Sequence, residues 1–202
     1  MPLEFDDGIL ISSDFDLPTL EDALPKPQIE ILRNPQHEDA WCYAACAEMV
    51  INHLRPEGLV SQCDIASFAK DMICCGASIS ECTDKGCKED QIGPIFTNFG
   101  VDYDGYDPHQ PQEMGRITLD EIMANLTAQP PRPIEAVIDW DVGNDQSSSH
   151  AVLIVGATHD SVFLIDPLTG TSYDQWQPFE DFQDWFGHGS WVRTWPGLRR
   201  RN

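Results

Sequence analysis

The segment DAWCYAACAEMVINHL (residues 39–54) runs without a proline or a glycine. Small or apolar residues lie on nearly every face of the helix it would form, which predicts a central and mostly buried helix. Asp39 is placed to cap this helix, and Pro56 with Gly58 ends it. Cys42 then lies in the first turn, where free backbone N–H groups and the helix dipole stabilise a thiolate.

Three further segments favour helices in the first part of the chain. They span residues 61–72, 90–99 and 119–128, and Thr118 is placed to cap the last one. A cysteine-rich loop at residues 73–88 separates the first two. We therefore expect a helical half.

Beyond residue 133 the chain favours short strands rich in β-branched and aromatic residues. Their ranges are 134–140, 151–157, 162–165 and 191–195. The first three follow one another without room for a helix, which indicates an antiparallel sheet. The fold class predicted is α+β, with a helical half followed by a sheet half.

Length and charge limit the classes of function. The 202 residues can bury a core without help from metal or disulfides. The chain has 34 acidic and 12 basic residues, which gives a net charge of −22. This charge excludes nucleic acid and anionic membranes as expected partners, and it leaves a basic protein partner open. No apolar run reaches the roughly 18 residues of a transmembrane helix, and no signal peptide is visible. We expect a soluble monomer.

Two parts of the chain differ in composition. Residues 1–27 are acidic and broken by prolines, and we expect an extended arm there. Such an arm is either a disordered tail or a cover over a surface groove, as a pro-segment would be. Residues 28–202 form the expected folded domain.

A thiolate nucleophile needs a base, and the base needs a group that orients it. His150 begins one predicted strand and Asp166 closes the next. Antiparallel strands joined by a short turn bring these two side chains to the same end of the sheet. Gln36 precedes Cys42 by six residues, where its amide is placed to donate to a developing oxyanion.

Each candidate has a simpler interpretation. A lone cysteine is more often a core residue. Asp166 also suits a cap of the turn at Pro167. His159 and Asp160 form a rival pair, but they lie in the turn at the opposite end of the sheet from His150, where a solvated turn is expected.

The pattern around these residues resembles the papain-like cysteine peptidases. It is most similar to a compact bacterial branch with a Gln-x5-Cys segment and the sequence Trp-Cys-Trp-Ala-Ala. The matching segments are Gln36, WCYAA at 41–45, SHAVLIVG at 149–156 and IDP at 165–167. Tyr43 stands where the family usually has Trp, which preserves an aromatic wall. The resemblance implies a papain-like fold, with a central nucleophile helix in a helical lobe packed on an antiparallel sheet lobe.

The resemblance also implies roles for individual residues. Cys42 would be the nucleophile, His150 the general base and acid, Asp166 the group that orients the histidine, and Gln36 the oxyanion-hole donor. The residues expected along the substrate groove are Trp41, Tyr43 and Ser149. The activity implied is thiol-dependent hydrolysis of peptide bonds in a peptide or protein through an acyl-enzyme, without cofactor or metal.

Two other classes of function remain open at this point. Glutamine deamidases, transglutaminases and acyltransferases of the effector or toxin type use the same Cys-His-Asp groups, and only the shape of the site separates them from peptidases. An inert binding module that kept the fold is disfavoured, because all four candidate residues are intact.

Six cysteines remain once Cys42 is set aside: Cys46, Cys63, Cys74, Cys75, Cys82 and Cys87. An even number suits up to three disulfides, with fifteen connectivities that sequence cannot resolve. A zinc site is the alternative, but the chain has no Cys-x2-Cys pair. Cys46 fits either the core or a disulfide. Disulfides imply an oxidising compartment and a specialised export route, whereas reduced thiols imply the cytoplasm, so the location stays open.

Overall fold

The structure is a computed structural model of the chain. It describes residues 28–76, 80–83, 85–104, 115–140, 148–168 and 175–202. The predicted arm at residues 1–27 lies outside the described residues. Within the described ranges, no helix is long and apolar enough to span a membrane.

The helical lobe contains the helices that the sequence predicts, with shorter ends. The helices of this lobe are α1 Cys42–Leu54, α2 Gln62–Lys70, α3 Ser80–Thr83, α4 Ile92–Asn98 and α5 Leu119–Leu126, and a further helix, α6 Phe179–Gln183, packs against the sheet. A 3-10 turn at Glu89–Gln91 leads into α4. The short helices α3 and α6 have too few residues to show a helical period and were not predicted.

The helix starts show which capping predictions hold. Thr118 caps α5 as predicted, through a reciprocal pair of hydrogen bonds with Glu121. The Asp39 cap is wrong, because Trp41 occupies the N-cap of α1 and makes no side-chain capping bond. Cys42 is consequently the first residue of α1, where its backbone N–H has no partner within the helix.

The sheet lobe is antiparallel, as the strand spacing predicts. Its strands are β2 Ile134–Trp140, β3 Ser148–Ala157, β4 Ser161–Ile165, β5 Trp176–Pro178 and β6 Gly189–Trp195, in the order β5-β4-β3-β2-β6. Two short strands, β1 Val101–Asp102 and β7 Arg199–Arg200, pair separately. Strand β3 begins earlier than predicted, so His150 lies inside the strand.

Helix α1 lies at the centre of the molecule. Its residues from Tyr43 to Ile51 are all buried, and α1 packs against α2, α4 and strand β3. This burial on every side follows from the small and apolar residues around the helix. The helical lobe therefore packs on the sheet lobe through α1, and the α+β fold class is confirmed.

The cysteines form two disulfides, Cys63–Cys75 and Cys74–Cys82. Cys42, Cys46 and Cys87 are free thiols. The interpretation of the cysteine-rich loop as a stapled segment is confirmed. Two disulfides lie within the predicted maximum of three, and of the two alternatives for Cys46 the core position is the one observed. Among the described residues, no group of three or more His, Cys, Asp or Glu side chains is arranged to hold a metal.

Candidate active site

His150 and Asp166 meet at one end of the β3–β4 hairpin. The pairing of Leu153 with Ile165 sets the register of the two strands. This register places His150 Nε2 at 2.8 Å from Asp166 Oδ1, and both side chains are buried. The prediction that the two residues share one end of the sheet is confirmed.

Asp166 also closes the turn that follows β4. Its Oδ1 accepts a hydrogen bond of 2.8 Å from the backbone N–H of Leu168. The carboxylate therefore contacts the histidine and caps the turn at Pro167 at the same time. The turn cap fixes the direction of the carboxylate, so the two interpretations of Asp166 are complementary.

Cys42 lies against His150 at the start of α1. Its sulfur hydrogen-bonds to the His150 ring and accepts the backbone N–H groups of Ala151 and Tyr43. Burial alone would raise the pKa of Cys42, but the bond to His150, the charge of that ring and the two N–H donors together lower it. The site therefore favours a thiolate.

His150 carries the matching positive charge. Burial alone would lower the pKa of His150, but its hydrogen bonds to Asp166 and Cys42 and the charges of both raise it to about 9. Because the thiol pKa falls while the imidazole pKa rises, the two shifts together favour a thiolate–imidazolium pair. A thiolate beside an imidazolium can attack a carbonyl carbon and protonate the leaving group.

Two tryptophans enclose the His150 ring, and sequence reasoning missed both. The ring centroids of Trp140 and Trp185 lie 5.0 and 6.2 Å from that of His150. Aromatic faces favour a neighbouring cation and exclude water from its bonds. Ile138 pairs with His150 in the sheet, so the position of Trp140 two residues later on the same face was a usable signal. Trp185 follows helix α6 and had no such signal.

An open cleft of about 460 Å³ runs past the Cys42–His150 pair. Tyr43 and Ser149 line it, as expected for groove residues. Trp41 does not, because it is buried in the core and its indole N–H donates to the carbonyl of Cys82. The cleft is open to solvent beside the thiol, so a substrate can reach Cys42 from outside.

Gln36 makes its hydrogen bonds within the loop that precedes α1. Its Nε2 donates to the carbonyls of Glu38 and Asp39 at 3.0 and 2.8 Å. Its buried Oε1 has no partner among the described residues, and the side chain does not line the cleft. A contact with a bound oxyanion requires the amide to exchange one of its two loop bonds.

A buried carboxyl group lies near the candidate nucleophile. Glu135 is fully buried in β2, and neither of its carboxyl oxygens has a hydrogen-bond partner within the described part of the chain. Burial, and then the charge of Cys42, raise the pKa of Glu135 well above its usual value, which favours the neutral carboxyl group. A neutral Glu135 does not oppose the thiolate. Burial likewise raises the pKa of the Cys46 thiol, which makes that cysteine unreactive.

Comparison with known proteins identifies the family. Residues 28–194 match the family described as Peptidase_C39 like. The chain belongs to this peptidase family. A crystal structure of a Bacillus anthracis protein assigned as a C39-like peptidase superposes with a TM-score of 0.56 at 16% identity, covering 89% of this chain and 100% of that one. No curated protein matches. The family and the shared fold confirm the resemblance to papain-like cysteine peptidases.

Proposed function

We propose that the chain is a cysteine peptidase that hydrolyses peptide bonds in a peptide or protein substrate. The observation that carries this proposal is the buried hydrogen-bonded line from Cys42 through His150 to Asp166, with Cys42 and His150 open to the cleft. Membership of a peptidase family supports the same class of chemistry.

The chemical steps follow from the protonation states. The Cys42 thiolate attacks the carbonyl carbon of the scissile amide, and His150 gives its proton to the leaving amine as the C–N bond breaks. The resulting thioester is the acyl-enzyme. His150, now neutral, takes a proton from water, and the hydroxide equivalent displaces the thiolate to release the acid.

Asp166 sets which imidazole nitrogen faces the thiol. Because Nε2 donates to Asp166 Oδ1 at 2.8 Å, the other nitrogen, Nδ1, is left to exchange a proton with Cys42. The carboxylate also stabilises the imidazolium form. In this proposal Asp166 orients His150 and does not itself take up the proton.

The developing oxyanion needs donors at the start of α1. The backbone N–H of Cys42 has no intrahelical partner there and is one donor. Gln36 is the second in this proposal, with its Nε2 leaving one loop carbonyl for the substrate. Gln36→Ala should then lower kcat by roughly 100-fold with little change in stability.

The two disulfides support a place in an oxidising compartment. Disulfides persist in secreted and extracellular proteins, where three free thiols can remain beside them. Alkylation under denaturing conditions, before any reductant is added, should leave Cys63, Cys74, Cys75 and Cys82 unlabelled. Labelling of these cysteines would place the protein in a reducing compartment.

Mass spectrometry of a diverse peptide mixture tests the proposed activity. The wild type is compared with Cys42→Ala and with Cys46→Ala, which removes a buried thiol one turn further along the same helix. Fragments made by the wild type and by Cys46→Ala, but not by Cys42→Ala, are the expected result. Intact peptides with glutamine converted to glutamate would move the protein to the deamidase class. Products that do not depend on Cys42 would contradict the proposal.

A further inference from the structure

The side chain of Arg33 hydrogen-bonds to the backbone of the turn that contains Asp166. Its Nε and Nη2 atoms donate to the Asp166 carbonyl at 3.2 and 2.7 Å, and Nη2 also donates to the Leu168 carbonyl at 2.9 Å. The same turn is closed from inside by the Asp166 carboxylate and the Leu168 N–H. The Arg33 guanidinium therefore binds the backbone carbonyls of Asp166 and Leu168. These two residues are also joined by the hydrogen bond that fixes the direction of the Asp166 carboxylate.

The segment that follows Arg33 adds another hydrogen bond to the same turn. The backbone N–H of Gln36 donates to the Pro167 carbonyl at 2.8 Å, which lies between the two carbonyls that Arg33 holds. Three consecutive carbonyls of the turn are thus bound by one short segment. We call residues 33–36 the clamp.

The clamp is also fixed to the nucleophile helix. Asn34 Nδ2 donates to Glu48 Oε2 in α1 at 2.5 Å, and the Asn34 backbone N–H donates to Met49 Sδ at 3.2 Å. Gln62 of α2 binds the same Glu48 oxygen at 3.0 Å and the Pro35 carbonyl at 2.9 Å. Neighbouring residues of the clamp therefore tie the Asp166 turn to the helix that begins with Cys42.

We propose that Arg33 is a positioning residue that keeps the Asp166 carboxylate at His150 and so keeps the Cys42–His150 pair assembled. The inference rests on the proposed function, because it concerns the same site. Charge-assisted bonds from a forked donor fix both distance and direction, which a single amine cannot do. Arg33 acts through Asp166 and is not assigned a contact with substrate.

If the role of Arg33 were purely structural, its replacement would have a different effect on Cys42. Loss of such a residue lowers the free energy of unfolding but leaves the pH dependence of Cys42 unchanged in the folded protein. Loss of a positioning residue loosens Asp166, weakens the imidazolium and moves the thiolate titration to higher pH. The pH profile of the thiol therefore separates the two roles.

The experiment measures the rate of Cys42 alkylation by iodoacetamide between pH 5 and 9, with the labelled cysteine identified by peptide mapping. The variants are Arg33→Met, Arg33→Lys and His150→Gln. The control is Arg55→Met, because Arg55 likewise donates to a backbone carbonyl, that of Phe99 at 2.6 Å, away from the cleft. All are confirmed as folded by thermal denaturation at the working temperature.

We expect Arg33→Met to shift the alkylation profile up by about one pH unit, which is roughly a tenfold slower rate at acidic pH. Arg33→Lys should recover only part of the shift, and Arg55→Met should match the wild type. A wild-type profile for folded Arg33→Met would overturn the proposal, and so would full recovery by Arg33→Lys, since charge alone would then suffice. If Arg33→Met does not fold, the Arg33→Lys profile decides between the same outcomes.

His150→Gln separates this inference from the proposed function. If this variant keeps the wild-type profile, Cys42 is not paired with His150 and both proposals fail. If it shifts the profile while Arg33→Met does not, the proposed function stands and only the role of Arg33 is lost.

Discussion

The β3–β4 hairpin carries a His–Asp pair at each of its ends. At one end His150 Nε2 lies 2.8 Å from Asp166 Oδ1, with 6% and 1% of the two side chains exposed. At the other end His159 Nε2 lies 3.5 Å from Asp160 Oδ2, with 72% and 65% exposed. The two pairs have the same chemical groups, so the difference between them lies in their surroundings.

Burial and further partners separate the two pairs. His150 is enclosed by two tryptophan rings and bonded to both Cys42 and Asp166, in a region where water does not weaken those bonds. Asp160 Oδ1 accepts hydrogen bonds from the hydroxyls of Thr158 and Ser161, so the side chain stabilises the turn. An exposed ion pair is worth little in water. The identity of the residues alone therefore does not define a site.

Replacing each histidine in turn gives the largest expected contrast. His150→Gln should lower kcat/KM by roughly 1,000-fold, because it removes the proton donor and acceptor of every step. His159→Gln should stay within about twofold of the wild type, as expected of a solvated turn. Cleavage of the peptide found by mass spectrometry is the measurement. A comparable loss in both variants would break the comparison.

Replacing each aspartate should give a smaller contrast of the same kind. Asp166→Ala frees the His150 ring and removes the hydrogen bond that raises the His150 pKa, so kcat should fall by roughly 100-fold. Asp160→Ala should leave kcat unchanged. The pH profile of Asp166→Ala should also lose activity at lower pH than the wild type does. An unchanged profile would show that another group orients His150.

The pH dependence of the wild type sharpens the contrast further. The lowered pKa of Cys42 and the His150 pKa of about 9 define the range in which both charged forms exist. Activity should rise at a pH below the ordinary thiol value and fall about tenfold per unit above pH 9, as the imidazolium loses its proton. Activity that rises only near the pKa of an ordinary thiol and stays constant above pH 9 would argue against a charged Cys42–His150 pair.

The parts of the site that the sequence predicts depend on local patterns. The uniform small and apolar residues of 39–54 suffice to predict a buried helix that begins near Cys42. The short turn between β3 and β4 suffices to bring His150 and Asp166 together and to send His159 to the other end. Both inferences need only the period of a strand or a helix and the length of one turn.

The features that the sequence did not predict depend on contacts between distant segments. Arg33 lies 133 residues from the carbonyl that it holds, and backbone carbonyls leave no signature in the sequence. The pairing of the cysteines was left open because a count of cysteines says nothing about which of them are buried, and Cys46 is a free thiol in the core. Strands β1 and β7 contain two residues each, too few for any alternation.

The smallest expected effect is on the stability of the exposed turn. Asp160→Ala removes bonds to Thr158 Oγ1 at 2.9 Å and Ser161 Oγ at 2.7 Å, but water replaces both, so the free energy of unfolding should fall by at most about 1 kcal/mol. Asp166→Ala leaves the N–H groups of His150 and Leu168 without their acceptor in a buried site, and the loss should reach about 2–3 kcal/mol. Urea denaturation of the two variants measures both values. Equal losses would mean that water reaches Asp166, and burial would no longer explain the difference between the two ends of the hairpin.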